Sequence, residues 1–208
     1  MYNDIYTSRW KIFEKVPPGS TVLEIGCGSG RLANILTIRK KCIVHCIDKD
    51  PIISTLAKGK CLKILNVDIE NHKLPYEEEI FDRIVLGNAL EHMAEPEKVL
   101  ISLKKHLKPE GLLIYSVPNI VNWHSRMTIF LGKFEYEDGT VFERSHLRFY
   151  THKTARKMAI DSGYQIVWLD VTPSIYLLKE KLNIVWYNLA KAWKNLFADE
   201  FIIIARKK

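Results

Sequence analysis

The hydrophobic pattern of this chain changes period repeatedly, and the changes predict alternating strands and helices. Arg9 to Val16 has helical spacing and is stopped by Pro17-Pro18-Gly19. Thr21-Val-Leu-Glu-Ile25 reads as a first strand, Arg31 to Arg39 as a helix, and Cys42 to Ile47 as a second, buried strand. Pro51 opens the next helix, at a position proline favours. Cys61 to Leu65, Phe81 to Leu86 and Leu112 to Val117 are the third, fourth and fifth strands. A helix over Glu95 to Leu107 precedes the last of these and is stopped by Lys108-Pro-Glu-Gly111. Such alternation predicts an α/β fold with a mostly parallel sheet covered by helices.

Then the rhythm breaks. Residues 118–150 are aromatic and irregular, and a stretch of that length inside one domain predicts a functional loop or lid. A helix resumes after Thr151, a suitable N-cap, and Tyr164 to Val171 and Glu200 to Ala205 read as the last two strands. Between them lies an amphipathic helical insertion, 174–198. Over 178–197, Leu178, Leu182, Val185, Trp186, Leu189, Trp193 and Leu196 form one stripe, with Lys181, Lys191 and Lys194 mostly off it. A stripe of this kind usually packs on the protein's own core; the rival reading is a peripheral contact with a membrane.

The 208 residues suit a single domain, 1–208, and a hydrophobic fraction of 47% supplies its core. No apolar run is long enough to span a bilayer, and Met1 to Trp10 lacks the pattern of a signal peptide, so the expected compartment is the cytoplasm. Cys42 and Cys46 sit about 13 Å apart along a strand, too far to share a metal, and read as buried thiols. The net charge of +7 is lopsided: residues 1–100 carry 14 basic and 14 acidic side chains, residues 101–208 carry 17 and 10. The C-terminal half is therefore expected to meet something anionic, in the acceptor or in the surface presenting it.

The chemistry concentrates in Val22-Leu-Glu24-Ile-Gly26-Cys-Gly28-Ser-Gly30, a strand running into a glycine-rich turn and a helix start with free N–H groups. A dinucleotide site wants Gly-x-Gly-x-x-Gly, and Arg31 stands where its third glycine belongs. Glu24, two residues before Gly26, would repel a pyrophosphate but tolerates a sulfonium ligand bearing an ammonium group. Asp48, at the end of the second strand, is placed for ribose hydroxyls, and Asp68, after the third, for an adenine.

Together with Phe81-Asp-Arg-Ile-Val-Leu-Gly-Asn-Ala-Leu-Glu91-His92, these segments resemble the successive motifs of class I S-adenosylmethionine-dependent methyltransferases. The resemblance implies a Rossmann-like three-layer sandwich with a seven-stranded, mostly parallel sheet, its antiparallel last strand inserted beside the fifth. It implies S-adenosylmethionine as cofactor, with S-adenosylhomocysteine as product. Gly26, Gly28 and Gly30, with Cys27, would lie under the methionine part, Asp48 and the adjoining Lys49 at the ribose, and Asp68 and Ile69 at the adenine. Asn88 and Leu90 would line the place where the methyl group points. Asp82 is read as a support for the start of its strand and not as a ligand. Gly87-Asn-Ala-Leu replaces the Pro-Pro-Tyr-type sequence of DNA amine methyltransferases, so no nucleic-acid partner is expected.

Methyl transfer is an in-line displacement that depends mainly on positioning, and a hydroxyl acceptor gains from a general base. His146 is the first candidate base, with Glu143 as its carboxylate partner, and His92 the second. Ser116-Val-Pro-Asn119 and Asp138 to Thr151 resemble a bacterial methyltransferase branch linked to sugars and cell-surface polysaccharides, although Glu143 stands where that branch shows Asp. Arg148, Arg126 and Trp123 are candidate acceptor contacts, Arg148 by a bidentate hold on an anion. No metal site is expected, although Glu91 beside His92 leaves a faint metal reading open. The acceptor is expected to be a sugar, a polysaccharide precursor or another small hydroxylated molecule. The rivals are another acceptor class (carboxylate, protein, quinone-like lipid), a non-catalytic subunit that kept the fold and, weakest, a nicotinamide-dependent oxidoreductase.

Overall fold

The strands are Thr21–Ile25 (β1), Ile43–Asp48 (β2), Lys63–Asn66 (β3), Phe81–Gly87 (β4), Leu107–Pro118 (β5), Tyr164–Pro173 (β6) and Ala198–Lys207 (β7). In this computed structural model, which describes residues 5–76, 78, 80–174 and 180–208, they form one sheet in the order β3-β2-β1-β4-β5-β7-β6. β7 runs antiparallel to β5 and to β6, and the other pairs are parallel. This is the expected Rossmann-like sandwich, with its antiparallel last strand beside the fifth.

The helices are Ser8–Lys15 (α1), Arg31–Lys40 (α2), Pro51–Leu56 (α3), Pro96–Leu103 (α4), Trp123–Phe130 (α5), His152–Asp161 (α6), Glu180–Ala192 (α7) and Lys194–Phe197 (α8). Strand residues point alternately to the two faces, and both faces are apolar. Val22, Val44, Val85 and Ile114 meet Ile12 of α1 and Leu32 and Leu36 of α2. Leu23, Ile84, Leu113 and Tyr115 meet Val99 and Leu100 of α4 and Ala155 and Met158 of α6. A sheet covered on both sides needs near-continuous hydrophobic strands, which is why the central strands were legible as short apolar runs.

Three local expectations differ from the structure. The Lys108-Pro-Glu-Gly111 stop belongs to β5, which starts at Leu107 and shifts register against β4 between Phe81 and Arg83. Gly111 makes that bulge possible, because a Cβ there would lie 3.0 Å from the Phe81 carbonyl oxygen. The irregular stretch 118–150 contains α5, capped by the Asn122 side chain, which accepts from the Ser125 N–H at 2.8 Å. The stretch leaves and returns at one point, where Asn119 bridges Tyr150.

The third difference concerns the amphipathic insertion. Leu178 and the side chain of Leu182 lie outside what is described. The inward face of α7 carries Asn183 and Ala190, with half-buried Tyr187 beside them, whereas Val185 and Trp193 of the expected stripe are exposed. A polar anchor sets this rotation. The Tyr187 hydroxyl donates to Asp170 of β6 at 2.7 Å, and the same carboxylate holds Lys11 of α1 at 2.6 Å. Both charged side chains are only 7% exposed. Burial lowers the Lys11 pKa, and the Asp170 partner only partly offsets this. Among the described residues, no helix is long and apolar enough to cross a membrane.

Removing one partner of this buried pair leaves the other charged and unpaired. Asp170→Ala is therefore expected to lower stability by about 3–5 kcal/mol in urea denaturation. The double variant Lys11→Met/Asp170→Leu, which replaces both charges by apolar groups, is expected to recover most of that loss.

Candidate active site

β1 and β4 are parallel neighbours, and at their C-terminal ends the chain departs toward opposite faces of the sheet. The two departing loops touch. Gly26 has φ +68°, and a Cβ on it would lie 2.8 Å from the Ala89 Cβ, so glycine alone fits there. The N–H groups of Gly26 and Cys27 donate to the Ile47 carbonyl at 2.8 and 3.2 Å, tying the turn to the end of β2. Gly28 donates to Asp48 Oδ2 at 2.8 Å, and Asp50 to Asp48 Oδ1 at 3.0 Å. Asp48 thus fixes the glycine turn while facing the adjoining cavity.

Two cavities flank this crossing. One, of about 220 Å³, is lined by Asp48, Lys49, Asp68, Ile69, Asn88 and His92, with Glu70, Ala89 and Met93. The other, of about 320 Å³, is lined by Glu24, Gly26, Cys27, Gly28 and Asn88, with Arg9 and Arg31. The two lie where a parallel sheet of this topology places its ligands, at the switch point beyond the strand ends. The Asp68 carboxylate accepts from the Asn71 amide at 2.7 Å and from the Glu70 N–H at 3.0 Å, and these bonds, the Asn71 one foremost, hold its pKa below the usual range.

Two predicted ligands fall outside these walls. Leu90 is fully buried in the core against α4 and reaches neither cavity. Gly30 lines neither cavity; it takes φ +69° to start α2 over Ala57, where a Cβ would lie 3.0 Å from the Ala57 Cβ. Conversely, Arg9, Arg31, Glu70 and Met93 line the cavities without having been expected there. The signal that was available for Arg9 is its place at the start of an N-terminal helix, yet nothing local shows that this helix reaches the glycine turn.

A third cavity, of about 700 Å³, opens from the same crossing and is roofed by the 118–150 stretch. Asn88 and His92 line it as well as the first cavity, so they mark the junction. Asn88 holds φ +51°, a left-handed conformation that Asn tolerates. Ser116 Oγ donates to its side-chain oxygen at 2.6 Å, and its amide donates to Glu200.

His146 stands beside His92, their ring centroids 4.8 Å apart. The backbone explains the meeting: the N–H groups of Leu147 and Arg148 both donate to the Glu91 carbonyl, at 2.8 and 3.0 Å. His92 Nδ1 lies 3.2 Å from the Ser145 carbonyl oxygen, and His146 Nδ1 lies 3.0 Å from that of Val141. Carbonyls only accept, so both Nδ1 atoms carry the proton, and in the neutral rings both Nε2 atoms are lone pairs. Burial, with His146 adding repulsion, lowers the His92 pKa, which favours its neutral form.

The expected pairing of His146 with Glu143 is not formed. The Glu143 carboxylate accepts from Ser145 and from the Gly139 N–H, closing its own turn. Trp123 lines the third cavity, with its indole N–H on Ser174 Oγ at 3.0 Å. Arg126 and Arg148 do not line it; they donate to the carbonyls of Val121 and Ala94. Asp82 supports the start of β1, accepting from the Thr21 N–H at 2.8 Å, and pairs with Lys108 at 2.8 Å.

Two carboxylates of the site are buried with one oxygen lacking a partner, Glu24 and Glu91. Burial pushes the pKa of Glu24 up to about 8, against about 4.5 in an open chain, with the Ala33 N–H and Arg9 offsetting part of the rise. Between those values the native state binds more protons than the unfolded one, so stability falls as pH climbs from about 4.5 through about 8. Urea denaturation is the check. Between roughly pH 5.5 and 8.5 the wild type is expected to lose on the order of 2–4 kcal/mol more than Glu24→Gln, which cannot ionise.

With this geometry in hand, comparison with known proteins is informative. A profile described as a methyltransferase domain matches residues 6–169. The chain is 30% identical over 107 residues to the mitochondrial ubiquinone biosynthesis O-methyltransferase of Schizosaccharomyces pombe, a match covering 47% of this chain and 38% of that protein. It is 27% identical over 107 residues to the (S)-coclaurine N-methyltransferase of Thalictrum flavum, covering 48% and 29%. The chain thus spans less than half the length of these curated relatives. A SAM-dependent methyltransferase from Archaeoglobus fulgidus shares the fold over 99% of this chain and 94% of its own, with a TM-score of 0.70 at 17% identity. The matched profile runs from α1 into β6 and takes in the glycine turn, the acids at the strand ends and the histidine pair, and on that ground the chain belongs to the methyltransferase-domain family.

Proposed function

We propose that the protein transfers a methyl group from S-adenosylmethionine to a hydroxyl of a small, neutral, hydroxyl-rich acceptor such as a sugar. The observation that carries this reading is the junction at Asn88 and His92, where a nucleoside-sized cavity meets a larger one beside two imidazoles with accessible Nε2 lone pairs. The residues present fit the cofactor. Gly26 leaves open a cradle that a Cβ would close, Asp48 and Asp68 border the cavity suited to ribose and adenine, and the partnerless oxygen of Glu24 suits a cationic ligand. Arg9 and Arg31 stand where the ligand's own carboxylate would need a counter-charge.

Bound S-adenosylmethionine supplies a methyl group already activated by its sulfonium. The chain's own work is to align the acceptor and receive its proton. Asn88, locked by Ser116 and Glu200, fixes the wall between the two cavities. Bound cofactor would supply the methyl group to the acceptor oxygen, and the His92–His146 pair would receive the hydroxyl proton.

The wall of the acceptor cavity changes the expectation about charge. Among the described residues it carries Glu91, Glu135, Glu137, Glu143, Asp199 and Glu200, against Lys133 as the one Lys or Arg. A phosphate-bearing acceptor would meet repulsion there. The same wall favours, as a second reading, a cationic amine acceptor. Purified protein with labelled S-adenosylmethionine, offered panels of sugars, other alcohols, amines and sugar phosphates, separates these cases. Label is expected in the neutral hydroxyl panel, and label in the amines alone would replace the first reading by the second.

Two variants test the site itself. Asp48→Ala is expected to weaken S-adenosylhomocysteine binding by about 1.5–3 kcal/mol in calorimetry, through lost charge-assisted hydrogen bonds and a loosened glycine turn. His146→Ala is expected to lower turnover on the order of 100-fold with cofactor affinity nearly unchanged, and equal turnover in the variant would remove His146 from the mechanism.

A further inference from the structure

The cluster at the junction holds more than two imidazoles. Glu91, 1% exposed, precedes His92 in the 3-10 turn Leu90–His92, and one oxygen of its carboxylate is buried without a hydrogen-bond partner. One ligand atom from each of Glu91, His92 and His146 lies within 4.8 Å of the other two. The faint metal reading that Glu91 and His92 left open in the sequence lacked its third member, because His146 comes from the far leg of the 118–150 stretch and is delivered by the backbone bonds to the Glu91 carbonyl.

We propose that Glu91, His92 and His146 form a binding site for a divalent transition-metal ion. Three observations support it independently. The first is the donor set: two imidazoles and a carboxylate suit zinc, manganese or iron, whereas magnesium prefers all-oxygen surroundings. The second is the orientation of the rings. Each Nδ1–H is spent on a backbone carbonyl, which fixes the tautomer and turns Nε2 outward, as in imidazoles that bind metals through Nε2. The third is the partnerless oxygen of Glu91. A buried carboxylate in an acid-rich wall is costly alone, and an ion would supply a compensating charge beside it.

The geometry needs only a small adjustment. Metal–ligand bonds of roughly 2.0–2.2 Å place ligand atoms roughly 3–4 Å apart, so the trio closes by about an ångström on an ion. Three protein ligands leave coordination positions open toward the acceptor cavity. There the bound ion would lower the pKa of an acceptor hydroxyl, and the proton would then leave to solvent instead of to the imidazoles, whose Nε2 lone pairs serve as bases only in the metal-free site. This inference rests on the methyl-transfer reading for its purpose but not for its test.

The test is calorimetric titration of the chelator-treated full chain with zinc, manganese and magnesium chlorides in turn. One ion per chain is expected, zinc bound more tightly than manganese and magnesium weakest. Glu91→Gln and His146→Ala are each expected to weaken zinc binding by about tenfold or more. Binding of S-adenosylhomocysteine, measured on the same samples, shows that the variants are folded. Zinc that binds wild type and both variants alike, or does not bind wild type at all, overturns the site. Zinc binding that needs the trio in a protein without affinity for S-adenosylhomocysteine would instead sink the cofactor reading and leave the ion site standing.

Discussion

The arrangement depends on one steric constraint, the passage of two loops past each other at the ends of β1 and β4. β1 leads into α2 on one face of the sheet, and β4 leads to α4 on the other. Crossovers of one hand that run outward in opposite directions from neighbouring strands must part in this way, and the parting opens a crevice. At its floor Gly26 lies so near Ala89 that a side chain would fill the gap. Asn88 in a left-handed conformation turns the second loop aside. All three cavities of the site include Asn88 in their walls, so the backbone at this crossing decides where a cofactor and an acceptor can meet.

What the sequence revealed and what it hid follow from the range of the interactions. The glycine turn, Asp48 and Asp68 were legible because each sits at a fixed offset from its own apolar strand. The antiparallel last strand beside the fifth was implied by the family resemblance, and the cap at Thr151 is local chemistry that the structure reproduces as a capping box. The acceptor side is assembled from distant segments. His146 reaches His92 through bonds made to a carbonyl, which have no side-chain signature. The 178–197 stripe was legible only in part: Trp186 and Leu189 are half-buried, but Val185 and Trp193 are exposed, whereas Asn183 is buried and the hydroxyl of Tyr187 is drawn inward by Asp170. Asn122, read as part of an irregular stretch, was the available sign of α5.

Charge gives the same lesson at larger scale. The basic excess of residues 101–208 is real, yet the cavity that this half roofs is walled by carboxylates. Of the described basic groups Lys133 lines that cavity, while Arg126 is spent on the Val121 carbonyl and Arg148 on that of Ala94. A sum over half a chain says which sign dominates the surface, not which sign lines a concave site. Electrostatics inside a cavity follows the few groups on its wall, where water is scarce and screening weak.

Glu24 and Glu91 pose the same physical problem twice. Each is a buried carboxylate with a partnerless oxygen. A fold selected for stability alone would fill either position with an apolar residue or supply a bonded partner. Each acid instead borders a cavity, Glu24 the one beside the glycine turn and Glu91 the one roofed by 118–150. In both places the missing partner is a positive charge. On the readings proposed above, the ammonium or sulfonium of the cofactor would answer Glu24, and a metal ion would answer Glu91. On this argument both acids are kept at a cost in stability because they create a demand for cations on the two sides of one crossing, and methyl donor and acceptor are brought together between them.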